Sequence, residues 1–214
     1  MTRRVIVRRL GLAVLVVILV VILGCSLLIA LHRPLLRAAA NGWILNTPSF
    51  DHVDAVLIPG GGVDTRPFAA AKLFHEGKAD RLVVFQTEIE PTVEMGLRPA
   101  DHQINLKVLE QSKVPAEAIA LISGGVTSTW DEVAAARKWC LENQIHSLAI
   151  VTEIFPSRRV GWAYEKGLRD LGIAIHVVPL TPGAYSPENW WTSERGLIDF
   201  QNEVVKYLFY RFRY

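Results

Sequence analysis

Hydrophobic positions along the chain fall into three regimes. From Leu10 to Leu31 the run "LGLAVLVVILVVILGCSLLIAL" carries no charge, and roughly 22 residues at about 1.5 Å each span a hydrocarbon core of about 30 Å. Residues 32–52, "HRPLLRAAANGWILNTPSFDH", mix apolar and polar positions without a period and read as a juxtamembrane stem, with Trp43 at the interface. From residue 53 onward, short apolar runs alternate with segments of helical period. "DAVLIP" (54–59), "DRLVVFQ" (80–86), "AEAIALIS" (116–123), "HSLAIVT" (146–152) and "IAIHVVPL" (173–180) read as strands. They are apolar runs rather than strict alternations, as strands buried on both faces should be. Between them "TRPFAAAKLFHEGK", "PADHQINLKVLEQSK", "STWDEVAAARKWCLEN" and "SRRVGWAYEKGLRDLG" read as helices. Thr65 or Asp64 caps the first of these, and Gly77 stops it. A long helix, "NWWTSERGLIDFQNEVVKYLFYRFRY", ends the sequence.

Single helices between strands imply crossover connections, hence an α/β domain with a mainly parallel sheet of about five strands covered on both faces. The chain thus divides into three parts: 1–31 as a cytoplasmic tip and transmembrane helix, 32–52 as the stem, and 53–214 as the α/β domain. Charge adds orientation. Arg3, Arg4, Arg8 and Arg9 precede the apolar run, whereas Arg33 and Arg37 come closely after it. The positive-inside bias keeps such an N-terminus cytoplasmic and exports the chain beyond residue 32. Two alternatives stand beside a retained anchor. One is a cleaved signal peptide; the other is a lipobox-like "VILGC", with the segment removed and Cys25 lipidated. Overall, 23 Lys and Arg face 21 Asp and Glu, a balance that argues against nucleic acid as a partner. Cys25 and Cys140 are too far apart and too differently placed for a disulfide framework.

Ligands of open α/β sheets bind beyond the carboxyl ends of the strands, so the candidate chemistry can be collected there. Gly60, Gly61, Gly62, Asp64 and Arg66 come after the first strand, and Gln86, Thr87 and Glu88 after the second. Gly124, Gly125, Ser128 and Thr129 come after the third, and Thr152, Glu153, Ser157, Arg158 and Arg159 lie at and after the end of the fourth. Two glycine-bearing loops feed helix N-termini, where free amides and the helix dipole favour anions. Arg66, Arg158 and Arg159 supply guanidinium forks for phosphate or carboxylate. The competing reading gives the glycines only a tight turn and pairs the arginines with Asp64, Glu88 and Glu153. Neither a Walker loop nor a dinucleotide fingerprint is present: no Gly-Lys-Ser/Thr comes next, and positions 60–65 read Gly-Gly-Gly-Val-Asp-Thr.

"STWDE" (128–132) fits a capping box with Ser128 as cap and Asp131 three residues on; alternatively Thr129 or Asp131 faces the pocket. None of the six histidines falls at a strand's carboxyl end, which argues against a Ser-His-Asp triad or a histidine metal cluster. The terminal helix packs on the sheet and closes the domain; its last turn, rich in aromatics, Lys and Arg, also suits a membrane interface.

Taken together, the glycine triplet with its arginine, the "STWDE" helix start, "VTEIFPSRRVGW" and the ending "NWWTSERGL…NEVVKYLFYRFRY" resemble the YdcF/SanA/ElyC family of bacterial proteins, from about Asp54 to Tyr214. That resemblance implies a Rossmann-like three-layer sandwich, often behind one membrane helix, with roles in envelope integrity and peptidoglycan or lipid-carrier metabolism. It also brings S-adenosylmethionine, associated with a soluble member. The cofactor of this chain stays undefined. The pocket positions it implies are Gly60, Gly61, Gly62, Arg66, Thr129, Asp131, Glu132, Arg158 and Arg159. Two departures stand out: "FQTEIE" where members often have Ser-Gly-Gly, and Pro156 where they often place a histidine before the arginines.

The expectation is therefore a single-pass protein of the bacterial inner membrane whose exported domain binds a phosphorylated or lipid-linked ligand. Asp131, Glu132 or Glu153 is the candidate base for transfer or hydrolysis. The ligand contacts would be Gly60, Gly61, Gly62, Asp64, Arg66, Ser128, Thr129, Thr152, Arg158 and Arg159. The alternative is a non-catalytic sensor, or a scaffold for other envelope-assembly proteins.

Overall fold

The computed structural model describes residues 2–45 and 48–214, with side chains from residue 8 onward. The charges expected of Arg3 and Arg4 lie outside the described side chains, and Asn46 and Thr47 of the stem lie outside the described residues. Two compact units result, one up to Asn41 and one from Gly42 to Tyr214. Helix α1 (Thr2–Trp43) accounts for the first, and its last two residues, Gly42 and Trp43, belong to the second. Over Arg8–Trp43 it is long and apolar enough to cross a membrane, with a mean hydropathy of 3.4 in its richest window. Every backbone group along the middle of such a helix is satisfied within it, as a bilayer requires. Helix continues through Pro34 to Trp43, where an irregular stem was expected. "LLRAAA" (35–40) consists of strong helix formers, and Pro34 removes one amide without stopping them.

In the second unit five parallel strands lie in the order β3-β2-β1-β4-β5. They are β1 (Val53–Ile58), β2 (Ala79–Thr87), β3 (Ile119–Val126), β4 (Ser147–Glu153) and β5 (Ala174–Leu180). The helices are α2 (Arg66–His75), the short α3 (Pro91–Glu94), α4 (Asp101–Gln111), α5 (Thr129–Asn143), α6 (Ser157–Gly167) and α7 (Glu194–Arg213). Central β1 shows why the sheet sits in the middle. Ala55 and Leu57 pack with Val133, Ala136, Val160 and Ala163 of α5 and α6. Val56 and Ile58 point the other way, toward Ala70, Ala71 and Leu109 of α2 and α4. Both sets are fully buried or nearly so, and each large aliphatic so placed contributes about 2 kcal/mol. The result is the expected Rossmann-like three-layer α/β sandwich.

Two boundaries differ from the sequence reading. Residues 116–118 form a 3₁₀ turn, and β3 runs on through Gly124 and Gly125 to Val126, across a register shift against β2 between Phe85 and Thr87. Those glycines, expected in a loop, therefore belong to an edge strand. The terminal helix is also interrupted: Trp190–Thr192 is a 3₁₀ turn, and Ser193 caps α7 by accepting from the Gly196 amide. Trp43, expected at the membrane interface, packs against the α/β domain. Its indole Nε1 donates to the Phe155 carbonyl at 2.9 Å, and its ring meets Phe200 and Tyr207 edge-on at 5.8 and 5.5 Å. An aromatic seam with a buried acceptor satisfies both halves of the side chain.

Candidate functional site

The strand order reverses between β1 and β4. A crevice of about 580 Å³ opens at the carboxyl edge there, between Pro59 and Gly60 after β1, Thr87 and Glu88 around the end of β2, Val126 and Thr127 at β3, and Thr152 in β4. Such a reversal leaves adjacent loops diverging and is where open α/β sheets bind ligands. Glu132 of α5, Arg159 of α6, and Glu203, Lys206, Phe209 and Tyr210 of α7 complete one side; Glu90, Arg98 and Asp101 stand on the other.

Glu132 is one of two buried carboxylates in the lining, with Glu203. It is 5% exposed, and Oε1 accepts the Gly60 amide at 2.7 Å. Burial pushes its carboxyl up to about 7, against the opposing pull of the Gly60 amide and the guanidinium groups of Arg66 and Arg159. Both protonation states are populated at neutral pH, the condition a general acid or base needs.

The glycine triplet does not wrap a ligand. Arg66 Nε donates to the Glu153 oxygens at 3.3 and 3.1 Å, Nη2 closes the pair, and Nη1 donates to the Gly60 carbonyl. Thr65 Oγ1 adds a bond to Glu153 Oε1 at 2.7 Å. Gly62 sits at φ +57°, and a Cβ there would collide with Glu153 Oε1 and Arg66 Nε. Only glycine allows that turn beside that ion pair. Gly61 and Gly62 thus lie outside the crevice lining, as does exposed Asp64. Burial alone would raise Glu153, yet the charge and hydrogen bonds of Arg66 and the Thr65 hydroxyl hold it below the usual carboxylate range. Ionised and fully engaged, Glu153 is a clamp rather than the base expected of it.

The two neighbouring arginines part company, because successive helical residues point about 100° apart. Arg159 Nε and Nη2 donate to the Glu203 carboxylate at 2.7 and 3.1 Å, and Nη1 donates to Thr129 Oγ1 at 2.8 Å. Its guanidinium lies over the Tyr210 ring. Lys206 Nζ reaches the same carboxylate at 3.3 Å, so two cations share the Glu203 anion, and this wall is net positive while Glu132 is protonated. Arg158 instead donates from Nε to the Trp43 carbonyl at 2.7 Å and from Nη2 to that of Gly42. It caps the end of α1, where carbonyls lack helical partners, and takes no part in the crevice.

Asp131 also turns out to be structural. Its Oδ2 accepts Thr127 Oγ1 at 2.6 Å, Ser128 Oγ at 2.9 Å and the Thr127 amide at 3.2 Å. Those bonds, led by the Thr127 hydroxyl, hold its carboxyl below the usual range, and the residue stays off the lining. Ser128 and Thr129 do line it, at the α5 N-terminus, whose first amides lack helical partners. Thr152 is fully buried, faces the same space, and its hydroxyl has no partner among the described residues. Leaving a buried hydroxyl unmatched costs about 1–3 kcal/mol, a deficit a bound molecule would remove. Among the described residues no group of three or more His, Cys, Asp or Glu side chains gathers as metal ligands would.

Of the expected contacts, Gly60, Arg66, Ser128, Thr129, Thr152 and Arg159 line the crevice, with Glu132 as the one expected base among them. Sequence reasoning missed Arg98, Glu203, Lys206 and Tyr210. Glu203 had a readable signal: it is in phase with Phe200, Tyr207 and Tyr210 on the inward side of α7, a carboxylate on an otherwise aromatic face. Arg98, in an irregular segment, had none. His102 was likewise unexpected; its Nδ1 lies 3.3 Å from Thr87 Oγ1, behind the lining.

No family model matches the chain, and no curated protein matches it. Among solved structures, the reductase domain of an aureusimine biosynthetic cluster is similar over 72% of this chain and 56% of its own length, at 12% identity and a TM-score of 0.32.

Proposed function

We propose that this chain is a membrane-tethered α/β protein that holds a phosphorylated small-molecule or lipid-linked ligand in the crevice and uses Glu132 for proton transfer. The observation that carries this reading is Glu132 itself: a buried carboxyl poised near neutrality that opens onto a crevice it shares with Arg159, Lys206 and the α5 N-terminus. The phosphate belongs at that cationic wall, near the Thr152 hydroxyl. Ligand hydroxyl or amino groups belong at the opposite wall, near Glu88, Glu90 and Asp101. In hydrolysis or transfer, Glu132 takes the proton of the attacking water or alcohol as the new O–P bond forms and the leaving oxygen departs. On this reading the YdcF/SanA/ElyC resemblance reflects kinship, with the N-terminus cytoplasmic and the domain outside the bacterial inner membrane.

Titration of the detergent-solubilised full chain with a short-chain polyprenyl monophosphate, against the parent alcohol, tests it. The phosphate should bind at least about tenfold tighter, the worth of one charge-assisted contact, and Lys206→Gln should remove much of that margin. Equal affinities would end the proposal. Thr152→Val should weaken phosphate binding without lowering the stability of the free protein. A second reading, a non-catalytic sensor, is favoured by the mutual saturation of Arg66 and Glu153 and by Pro156 at the histidine position. It predicts phosphate binding with no turnover, and the same affinity after Glu132→Gln.

A further inference from the structure

Helix α7 is amphipathic on both sides. Its inner side carries Glu203 and Tyr210 into the domain, where both are buried. Its outer side presents Leu197, Ile198, Val205, Leu208, Phe209 and Phe212, which are 38–89% exposed, Phe212 the most. At about 100° per residue these six fall within an arc of about 120°. Glu194, in the first turn, and Gln201 are the polar residues that share the arc. A contiguous apolar stripe of this kind on a folded surface marks a contact site.

The borders of the stripe say what it contacts. Lys206 and Arg213 line one edge and Arg211 the other, and all three are exposed. Arg211 lies across the rings of Trp162 and Tyr207, which keeps its charge at the border. Of the acidic side chains of α7, Asp199 accepts the Tyr185 hydroxyl at 2.8 Å and Glu203 is inside; Glu194 is exposed within the arc, but in the first turn, at the opposite end of the helix from Phe209 and Phe212. An apolar centre with cationic edges is the pattern of a helix lying in the headgroup region of an anionic bilayer. The chain supplies the proximity. Ten residues separate Leu31 from Gly42, where the second unit begins, and even fully extended they reach only about 35 Å.

We infer that α7 docks along its length on an anionic lipid surface, its outer stripe sunk to the level of the acyl-chain boundary. Phe209 belongs both to that stripe and to the crevice lining, so docking sets one wall of the crevice at the headgroups. This surface stands independently of what the crevice binds.

The test uses the full chain with Cys25→Ser, leaving Cys140 buried, in vesicles of phosphatidylcholine with or without phosphatidylglycerol. Nitroxides are attached at Phe212→Cys and, as reference, at Glu142→Cys on exposed α5 surface. With phosphatidylglycerol present, the label at 212 should collide several-fold more with dissolved oxygen than with a water-soluble nickel chelate, relative to the label at 142. That preference should shrink in phosphatidylcholine alone. Val205→Glu with Leu208→Glu, both at exposed positions, should return position 212 to the aqueous profile with the circular dichroism spectrum unchanged. A label at 212 that behaves like the label at 142 overturns docking. So does protection from both reagents with dipolar coupling between labels, which would assign the stripe to a second copy of the chain.

Discussion

Glu132 carries the sharpest consequence at the scale of single residues. Its folded carboxyl titrates at about 7 rather than 4.5, so between those values the native protein holds a proton that the unfolded chain has released. The contribution of Glu132 to stability is therefore greatest below about pH 4.5 and falls as pH rises through the window, by roughly 3 kcal/mol in all. Glu132→Gln keeps an acceptor for the Gly60 amide and should flatten that slope in urea denaturation at stepped pH. Much of the residue-level site was legible, because Gly60, Arg66, Ser128, Thr129, Thr152, Glu132 and Arg159 all sit at strand ends and helix starts. What escaped was direction. Nothing in "PSRRV" says that Arg158 turns to the end of α1 while Arg159 turns inward, since that depends on the rotation of α6 about its own axis. Partnership escaped too. The sequence offered Glu153 as a base or as a counter-charge, and the second is its role, because Arg66 and Thr65 occupy its oxygens.

Elements show a similar division. Strands β1, β2, β4 and β5 lay open in the chain as apolar runs, because a strand covered on both faces has no polar side to blur it. Edge strand β3 was read three residues too early, since its exposed Ser123, Gly124 and Gly125 carry no hydrophobic signature. Helix α7 was legible as a helix, but its contribution to the crevice was not, because Glu203 meets Arg159 across 44 residues of sequence. That pair holds α6 to α7. Both side chains are nearly buried, so removing one partner strands a charge and should cost about 3–5 kcal/mol, whereas replacing both with apolar residues of similar volume costs far less. Glu203→Leu should thus lower the melting temperature sharply, and Arg159→Met added to it should restore most of the loss. A double variant as unstable as the single one would refute the argument.

For the molecule as a whole, the pattern of strands and helices set the class of fold, and the reversal between β1 and β4 set where a ligand can enter. A crevice lined by four cationic and five acidic side chains is polarised rather than uniformly positive; the sequence offered Asp64, Glu88 and Glu153 as counter-charges, but not Glu90, Asp101 or Glu203. The Arg159–Glu203 bridge has one more consequence, which concerns time. Until α7 settles, the Arg159 side chain can remain hydrated, and the crevice lacks a wall. Closure of the wall and neutralisation of the charge are one cooperative event, so amide hydrogens of α7 should exchange together, as a single opening unit. A ligand seated against Lys206 and Tyr210 would slow that exchange along the entire helix, and deuterium uptake by α7 would report occupancy even for a molecule whose chemical identity is still unknown.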